Sequence, residues 1–239
     1  PALLERALAR PGFHGVLGYS LREALWLHEQ GITDDIVMGY PSVDRESLSA
    51  LVSSPSAAAA ITLMVDSVDH LDVVDSVRSS KAVAIRIAID VDAGLRVSGQ
   101  HVGPKRSPLY DTSAVVELAR TVVGRPGFTL VGVMTYEGQV AGVPDDVPSQ
   151  RTKSMIVRRL KSASIEQIKV RRREIDAAVR RLTTLEFWNA GGSGSVESSA
   201  ADRWSPRSPQ ARGCSCPLRP LQSFTRPASF FAVPVVRRP

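Results

Sequence analysis

Three short stretches concentrate the residues whose types and spacing could do chemistry. The first is FWNAGGSGSVE, residues 187–197, where an apolar run ends at Asn189 and opens into Gly191-Gly192-Ser193-Gly194-Ser195. Glycines let backbone N–H groups approach an anion closely, and serine hydroxyls add donors, which is how a phosphate is cradled. The same composition also makes an ordinary turn, and composition alone weighs the two readings equally. The second stretch, IAIDVDAGLRVSG (residues 87–99), gathers Asp90, Asp92, Gly94, Arg96 and Gly99 at the end of an apolar run. The third, GVMTYEGQVAG (residues 132–142), does the same with Tyr136 and Glu137. Each of these last two also reads as a plain polar strand terminus.

Other chemistries lack their residues. His14, His28, His70 and His101 show no metal-ligand spacing. GGSGS carries Ser195 where a nucleophile elbow needs its second glycine, and there is no Walker A sequence. The two cysteines, Cys214 and Cys216, stand one residue apart in QARGCSCPLRPLQSF, with no His or Cys nearby to complete a metal site.

Along the chain, strand-length apolar runs alternate with helical patterns. FHGVLGY precedes SLREALWLHEQG, and DDIVMGY precedes PSVDRESLSALVSS, whose Pro41 and Ser42 are expected to start the helix. AAITLMVDS precedes VDHLDVVDSVRSS, and KAVAIRIAIDVD leads through a long loop to DTSAVVELARTVVG. FTLVGVMTYEG is followed by a basic helical segment and then LEFWNAGG. About six such strand–helix units of roughly 30 residues predict an α/β fold with a parallel sheet. A doubly wound sheet meets the same pattern. A (β/α)8 TIM-type barrel is preferred, because Asp66, Asp90, Asp92, Tyr136, Glu137 and Asn189 all follow strands and would converge on its carboxyl-end face. The barrel is expected to be incomplete, with the first strand missing and the last strand region garbled.

In this order the stretches resemble the barrel domain of fold-type III pyridoxal-phosphate (PLP) enzymes. The similarity is to the alanine racemase-like branch that holds D-threonine aldolases, D-serine dehydratases and amino-acid deaminases. It runs from Pro1 to about Asp202 and rests on the Asp-x-Gly with its nearby arginine, on MTYEGQVAG and on NAGGSGS. The resemblance implies PLP as cofactor and a small amino acid, of D configuration, as substrate. It implies Tyr136, Asn189, Gly192, Ser193, Gly194 and Arg106 as the cofactor-binding set: the glycines and Ser193 at the phosphate, Tyr136 beside the pyridine ring, Arg106 near it. Arg96 departs from the family's commoner spacing and takes no firm role. The Schiff-base lysine of the family lies before a helix such as PALLERAL, so it is expected before Pro1, and neither Lys81 nor Lys105 replaces it. Inactivity of this chain on its own is the corresponding expectation, the chain being read as a fragment. Racemisation and a non-catalytic PLP-carrying barrel are the alternatives. Metal use stays open, because the C-terminal β domain that carries a metal in several members is expected only to begin at residues 223–239. The intact parent is expected to form a homodimer.

Residues 203–222 are expected to be an out-of-frame or disordered Arg/Pro-rich segment between the barrel (residues 1–202) and that β domain. Full-degeneracy back-translation of residues 203–217, restarted at the third base of the Arg203 codon, permits a strand followed by Thr-Ala-Gly-Ser-Gly-Leu. That is like the second phosphate loop of the family, and on this reading the two cysteines have no function.

The net charge of +6 is uneven. Residues 1–150 hold 12 basic and 18 acidic groups, whereas residues 151–181 hold 11 and 3, and residues 203–239 hold seven arginines and no acid. In 151–181, Ile165, Ile168, Ile175 and Val179 recur at helical spacing, so the charges are expected on a solvated outer face. An RNA-binding helix is the lesser alternative, since aromatics for stacking bases are missing from it. Two cysteines and no apolar run of about 20 residues predict a cytoplasmic chain outside the membrane.

Overall fold

The computed structural model of the chain describes residues 2–11, 13–78, 83–97, 99–138 and 151–190, and only the backbone of 151–156 and 158. Its elements in chain order begin with α1 (Ala2–Leu8), β1 (Val16–Gly18), α2 (Leu21–Glu29), β2 (Ile36–Pro41) and α3 (Arg45–Ser53). Next come α4 (Pro55–Ala60), β3 (Ile61–Val65), α5 (Val68–Val77), β4 (Ile85–Asp90) and the short strands β5 (Leu95–Val97) and β6 (Gln100–Val102). The described part ends with α6 (Thr112–Gly124), β7 (Phe128–Thr135), α7 (Arg151–Val179) and β8 (Phe187–Ala190).

Six strands form one sheet in the order β1-β2-β3-β4-β7-β8, every pair parallel, while β5 and β6 make a separate antiparallel hairpin. The order decides between the two expected architectures. A doubly wound sheet reverses its strand order at a switch point. Here the order never reverses, as in a (β/α) barrel, and all six parallel strands coincide with the six apolar runs of the sequence.

Both faces of the sheet are covered, so its strands are apolar nearly throughout. Ile36, Ile61, Ile85, Ile87, Ile89 and Val133 have no exposed surface, and Leu48, Leu51, Leu71 and Val122 pack onto them from the helices. Gly132 of β7 sits where a Cβ would enter the ring of Phe187 on β8, so the absence of a side chain sets how closely these strands approach.

Three local features depart from the sequence reading. Pro41 completes β2, and α3 starts four residues later behind Asp44, whose carboxylate accepts from the Ser47 N–H and hydroxyl at 3.3 and 2.6 Å. An extra helix, α4, precedes β3, because Ser54 caps the Ala57 N–H and Pro55 supplies a ready first turn. On α7, Ile168, Ile175 and Val179 are buried as their spacing predicts, but Arg172, expected on the solvated face, is 2% exposed. Its Nε donates to Thr135 Oγ1 (2.9 Å) and its Nη2 to Thr135 O (3.0 Å) and Glu137 Oε2 (2.8 Å), which makes burial of the charge tolerable.

Candidate functional site

Arg106 lies in the loop between β6 and α6 and reaches across the carboxyl ends of three strands. Its Nη2 donates to the Gly39 carbonyl on β2 (2.6 Å) and to Asp90 Oδ2 at the end of β4 (3.2 Å). The guanidinium stands over the ring of Tyr40 at 4.4 Å and over that of Tyr136, just past β7, at 5.5 Å. Tyr40 in turn stacks with Tyr19, which follows β1, at 6.2 Å between centroids. One cation therefore draws together the ends of β2, β4 and β7 beside two aromatic rings.

This arrangement is left incomplete. Asp90 is 1% exposed, and among the described residues its Oδ1 has no hydrogen-bond partner; nor does the buried Nε of Arg106. Burial pushes the Asp90 carboxyl up to about 6, against the pull of Arg106 and with added repulsion from Asp66 and Asp92. At the end of β3, burial also raises the Asp66 carboxyl, opposed by His70, whose Nδ1 is 3.1 Å from Asp66 Oδ1.

The neighbouring hairpin is a different construction. Asp92 Oδ1 accepts from the Gly94 N–H at 2.8 Å, and Asp92 Oδ2 lies 2.8 Å from His101 Nε2. The imidazole occupies the space a Cβ on Gly94 would need. Arg96 points to the ring of Tyr110 (3.6 Å), which also carries Arg171 of α7 (3.8 Å). Gln167 of α7 accepts from the Arg96 N–H and donates to the Arg96 carbonyl (3.0 and 3.1 Å), and Arg171 Nη1 donates to the carbonyls of Asp92 and Tyr110. Arg96 thus helps clamp the hairpin to α7.

Beneath the site, Arg172 fixes the end of β7 as described above, and Trp188 Nε1 on β8 donates to the same Thr135 Oγ1 at 2.9 Å. Of the residues singled out in the sequence, the structure brings Arg106 and Tyr136 together. Asn189 is buried one strand away in register with Met134, to whose sulfur its amide donates at 3.5 Å. Gly192, Ser193 and Gly194 lie outside the described residues, as do Cys214, Cys216 and everything from 203 to 239. Sequence reasoning missed Tyr40. The signal was its place at the end of DDIVMGY, equivalent to that of Asp90 on its own strand.

Comparison with known proteins gives this geometry its context. Residues 2–186 match the family model of the alanine racemase N-terminal domain. A 3-hydroxy-D-aspartate aldolase of Paracoccus denitrificans (strain Pd 1222) is 25% identical over 184 residues, which are 77% of this chain and 42% of that protein. Among solved structures, D-threonine aldolase from Filomicrobium marinum superposes with a TM-score of 0.61 at 20% identity, over 84% of this chain and 48% of that one. Alanine racemase from E. faecalis does so with a TM-score of 0.50 at 16% identity, over 75% and 39%. The chain spans about half the length, or less, of each of these relatives. Their fold agrees with a parallel sheet curled into part of a TIM-type barrel, and the chain belongs to the alanine racemase N-terminal domain family.

Proposed function

We propose that this chain is the PLP-binding barrel portion of an enzyme acting on small D-amino acids, with aldol cleavage as its reaction. The observation that carries the reading is the Arg106 guanidinium, which stands over the rings of Tyr40 and Tyr136 with its buried Nε unpartnered among the described residues. An orphaned cationic donor between aromatic rings fits a flat, electron-poor ring bearing anionic substituents, as PLP is. The aldolase reading, ahead of dehydratase, deaminase or racemase, is supported by the similarity to the 3-hydroxy-D-aspartate aldolase.

On this reading Arg106 and Tyr136 hold the ring, and Gly192, Ser193 and Gly194, which follow β8 in sequence, hold the phosphate together with Asn189. Bound PLP supplies an electron sink for the charge left when a bond to Cα breaks. The chain's own residues orient it: Asp90 and the Gly39 carbonyl fix the guanidinium, and Arg172 fixes the strand that carries Tyr136. Lys105 is exposed, and Lys161 and Lys169 lie on α7, with Lys169 paired to Glu166 at 2.9 Å. Lys81 and the side chain of Lys153 lie outside the described residues. We read the 239-residue chain by itself as a cofactor-binding unit without turnover. The barrel unit is taken as residues 1–202, the segment 203–222 as separate from it, and 223–239 as the start of a further domain. A cytoplasmic setting and a homodimeric parent belong to the same proposal.

Equilibrium dialysis of the chain against PLP tests the reading. Saturable binding is expected, weakened about tenfold in Arg106→Gln, the loss of one charge-assisted contact. Equal binding by both proteins overturns the assignment of Arg106. Borohydride reduction of the loaded chain followed by mass spectrometry is expected to leave no lysine adduct, and a stoichiometric adduct overturns the absence of turnover.

A further inference from the structure

A second cluster of reactive side chains stands at the other end of the sheet, where the strands begin. His28 is in the last turn of α2, Asp34 just precedes β2, and Ser56 is in α4, which leads into β3. The chain reverses after α2 because Gly31 takes a φ of +65°. The Ile32 N–H then reaches the Leu27 carbonyl (3.1 Å), and the Gly31 N–H that of His28 (2.9 Å). This turn brings Asp34 back to the imidazole, with His28 Nδ1 3.7 Å from Asp34 Oδ1. On the other side of the ring, His28 Nε2 lies 3.2 Å from Ser56 Oγ.

The hydrogens fall in one order along this row. Ser54 Oγ accepts the Ala57 N–H at 3.3 Å and keeps its own hydrogen for Ser56 Oγ, 3.2 Å away. Ser56 then donates to His28 Nε2, which leaves the ring hydrogen on Nδ1, toward Asp34. Among the described residues that buried Nδ1 has no hydrogen-bond partner, and a buried polar atom calls for one. The Asp34 side chain is 94% exposed and free to close the gap. A nucleophile, a base within hydrogen-bond reach and a third group that orients the base together make an activated serine.

We propose that Ser56, His28 and Asp34 form a second reactive site that takes the acyl group of small activated carboxylic esters, with Ser56 as nucleophile, His28 as its base and Asp34 orienting the base. As Ser56 Oγ attacks the ester carbonyl carbon, its proton passes to His28 Nε2. The bond to the alkoxy oxygen breaks, and that oxygen leaves with the proton from His28. Water then attacks acyl-Ser56, its proton returning through His28 to Ser56 Oγ as the carboxylic acid departs. The imidazolium formed in between sits at the carboxyl end of α2, where the helix dipole favours positive charge, and this adds to the water-screened pull of Asp34. Ser56 is exposed, so unhindered esters reach it.

The probe is p-nitrophenyl acetate, with peptide mass spectrometry to locate acetyl groups on the native chain. Ser53, exposed and donating to the Ser49 carbonyl, is the reference serine in the same sample. Ser56 is expected to be acetylated at least about tenfold faster than Ser53, a conservative share of the roughly hundredfold or more that a positioned base contributes. The rate is expected to fall to that of Ser53 in His28→Gln and to slow in Asp34→Asn, and Ser56→Ala should lose the matching burst of p-nitrophenolate. A smaller ratio, a burst that survives in Ser56→Ala, or a native rate in His28→Gln or Asp34→Asn overturns the site. Thermal melts check that each variant folds, and Asp34→Asn, at an exposed side chain, keeps the test open if His28→Gln does not. The cluster is at the end of the strands opposite to Arg106, so neither result bears on the cofactor reading.

Discussion

Two buried arginine–carboxylate pairs stand near the carboxyl ends of the strands, and they are built to different standards. Arg172 and Glu137 meet at 2.8 Å with both side chains 2% exposed, and Arg172 also donates to Thr135, which Trp188 bonds as well. Arg106 and Asp90 meet at 3.2 Å, with Asp90 buried as deeply but one atom of each partner unsatisfied. Burial is common to both, so burial alone does not explain the difference. A pair that answers its own hydrogen-bonding demand holds elements together. The second pair leaves part of that demand open among the described residues, and the raised carboxyl of Asp90 marks the same place.

The comparison breaks most visibly if Arg172 is dispensable. Arg172→Met removes the cation 2.8 Å from the buried Glu137 and is expected to lower stability by about 3–5 kcal/mol in urea unfolding, whereas Arg172→Met/Glu137→Leu should regain most of it. A loss under about 1 kcal/mol in the single variant would show that α7 is tied to the sheet by other contacts. Next in size is Gly132→Ala, which pushes a Cβ into the Phe187 ring between β7 and β8, at an expected cost of about 1–3 kcal/mol. An unchanged melting midpoint would mean that the two strands separate freely and that Asn189 is not held by the packing beneath it.

Asp90 predicts the opposite sign. Its folded value of about 6 lies above the ordinary 3.8, so the folded chain keeps the proton longer than the unfolded chain as pH rises. The contribution of Asp90 to stability is therefore greatest below about pH 4, falls between about 4 and 6, and is level above that. Asp90→Asn removes this loss and is expected to be more stable than the native chain at pH 7, by at most about 3 kcal/mol and by less insofar as Arg106 loses a partner. The advantage should shrink steadily as pH falls from 6 to 4. Melts of both proteins across that range check it, and a variant less stable than the native chain at pH 7 would place Asp90 with the structural pairs.

The two pairs were unequally legible in the sequence. Strands buried on both faces leave continuous apolar runs, so all six parallel strands could be read, as could most of the polar residues that end them, Tyr40 excepted. The periodicity of α7 found Ile168, Ile175 and Val179 but sent every charge outward. Nothing local distinguishes Arg172 from Arg173, because the acceptors that bury it, Thr135 and Glu137, lie more than 30 residues away. The meeting of Arg106 with Gly39, 67 residues apart, is equally a product of the unreversed order of the strands. The β5–β6 hairpin was hidden in what read as one long loop, since three-residue strands carry too little pattern to be seen.

Arg22 and Glu46 supply the limiting case. They form an ion pair of 2.9 Å, within 0.1 Å of the Arg172–Glu137 distance, but their side chains are 70% and 84% exposed. Water screens the attraction, and holding two long side chains together costs rotamer freedom, so such pairs contribute about 0–1 kcal/mol. Arg22→Ala is expected to change stability by less than about 0.5 kcal/mol, with the small effect vanishing in 1 M salt. If it instead cost as much as Arg172→Met, distance rather than burial and satisfaction would govern these pairs. The unpaired atoms of Asp90 and Arg106 would then lose their meaning as a sign of function.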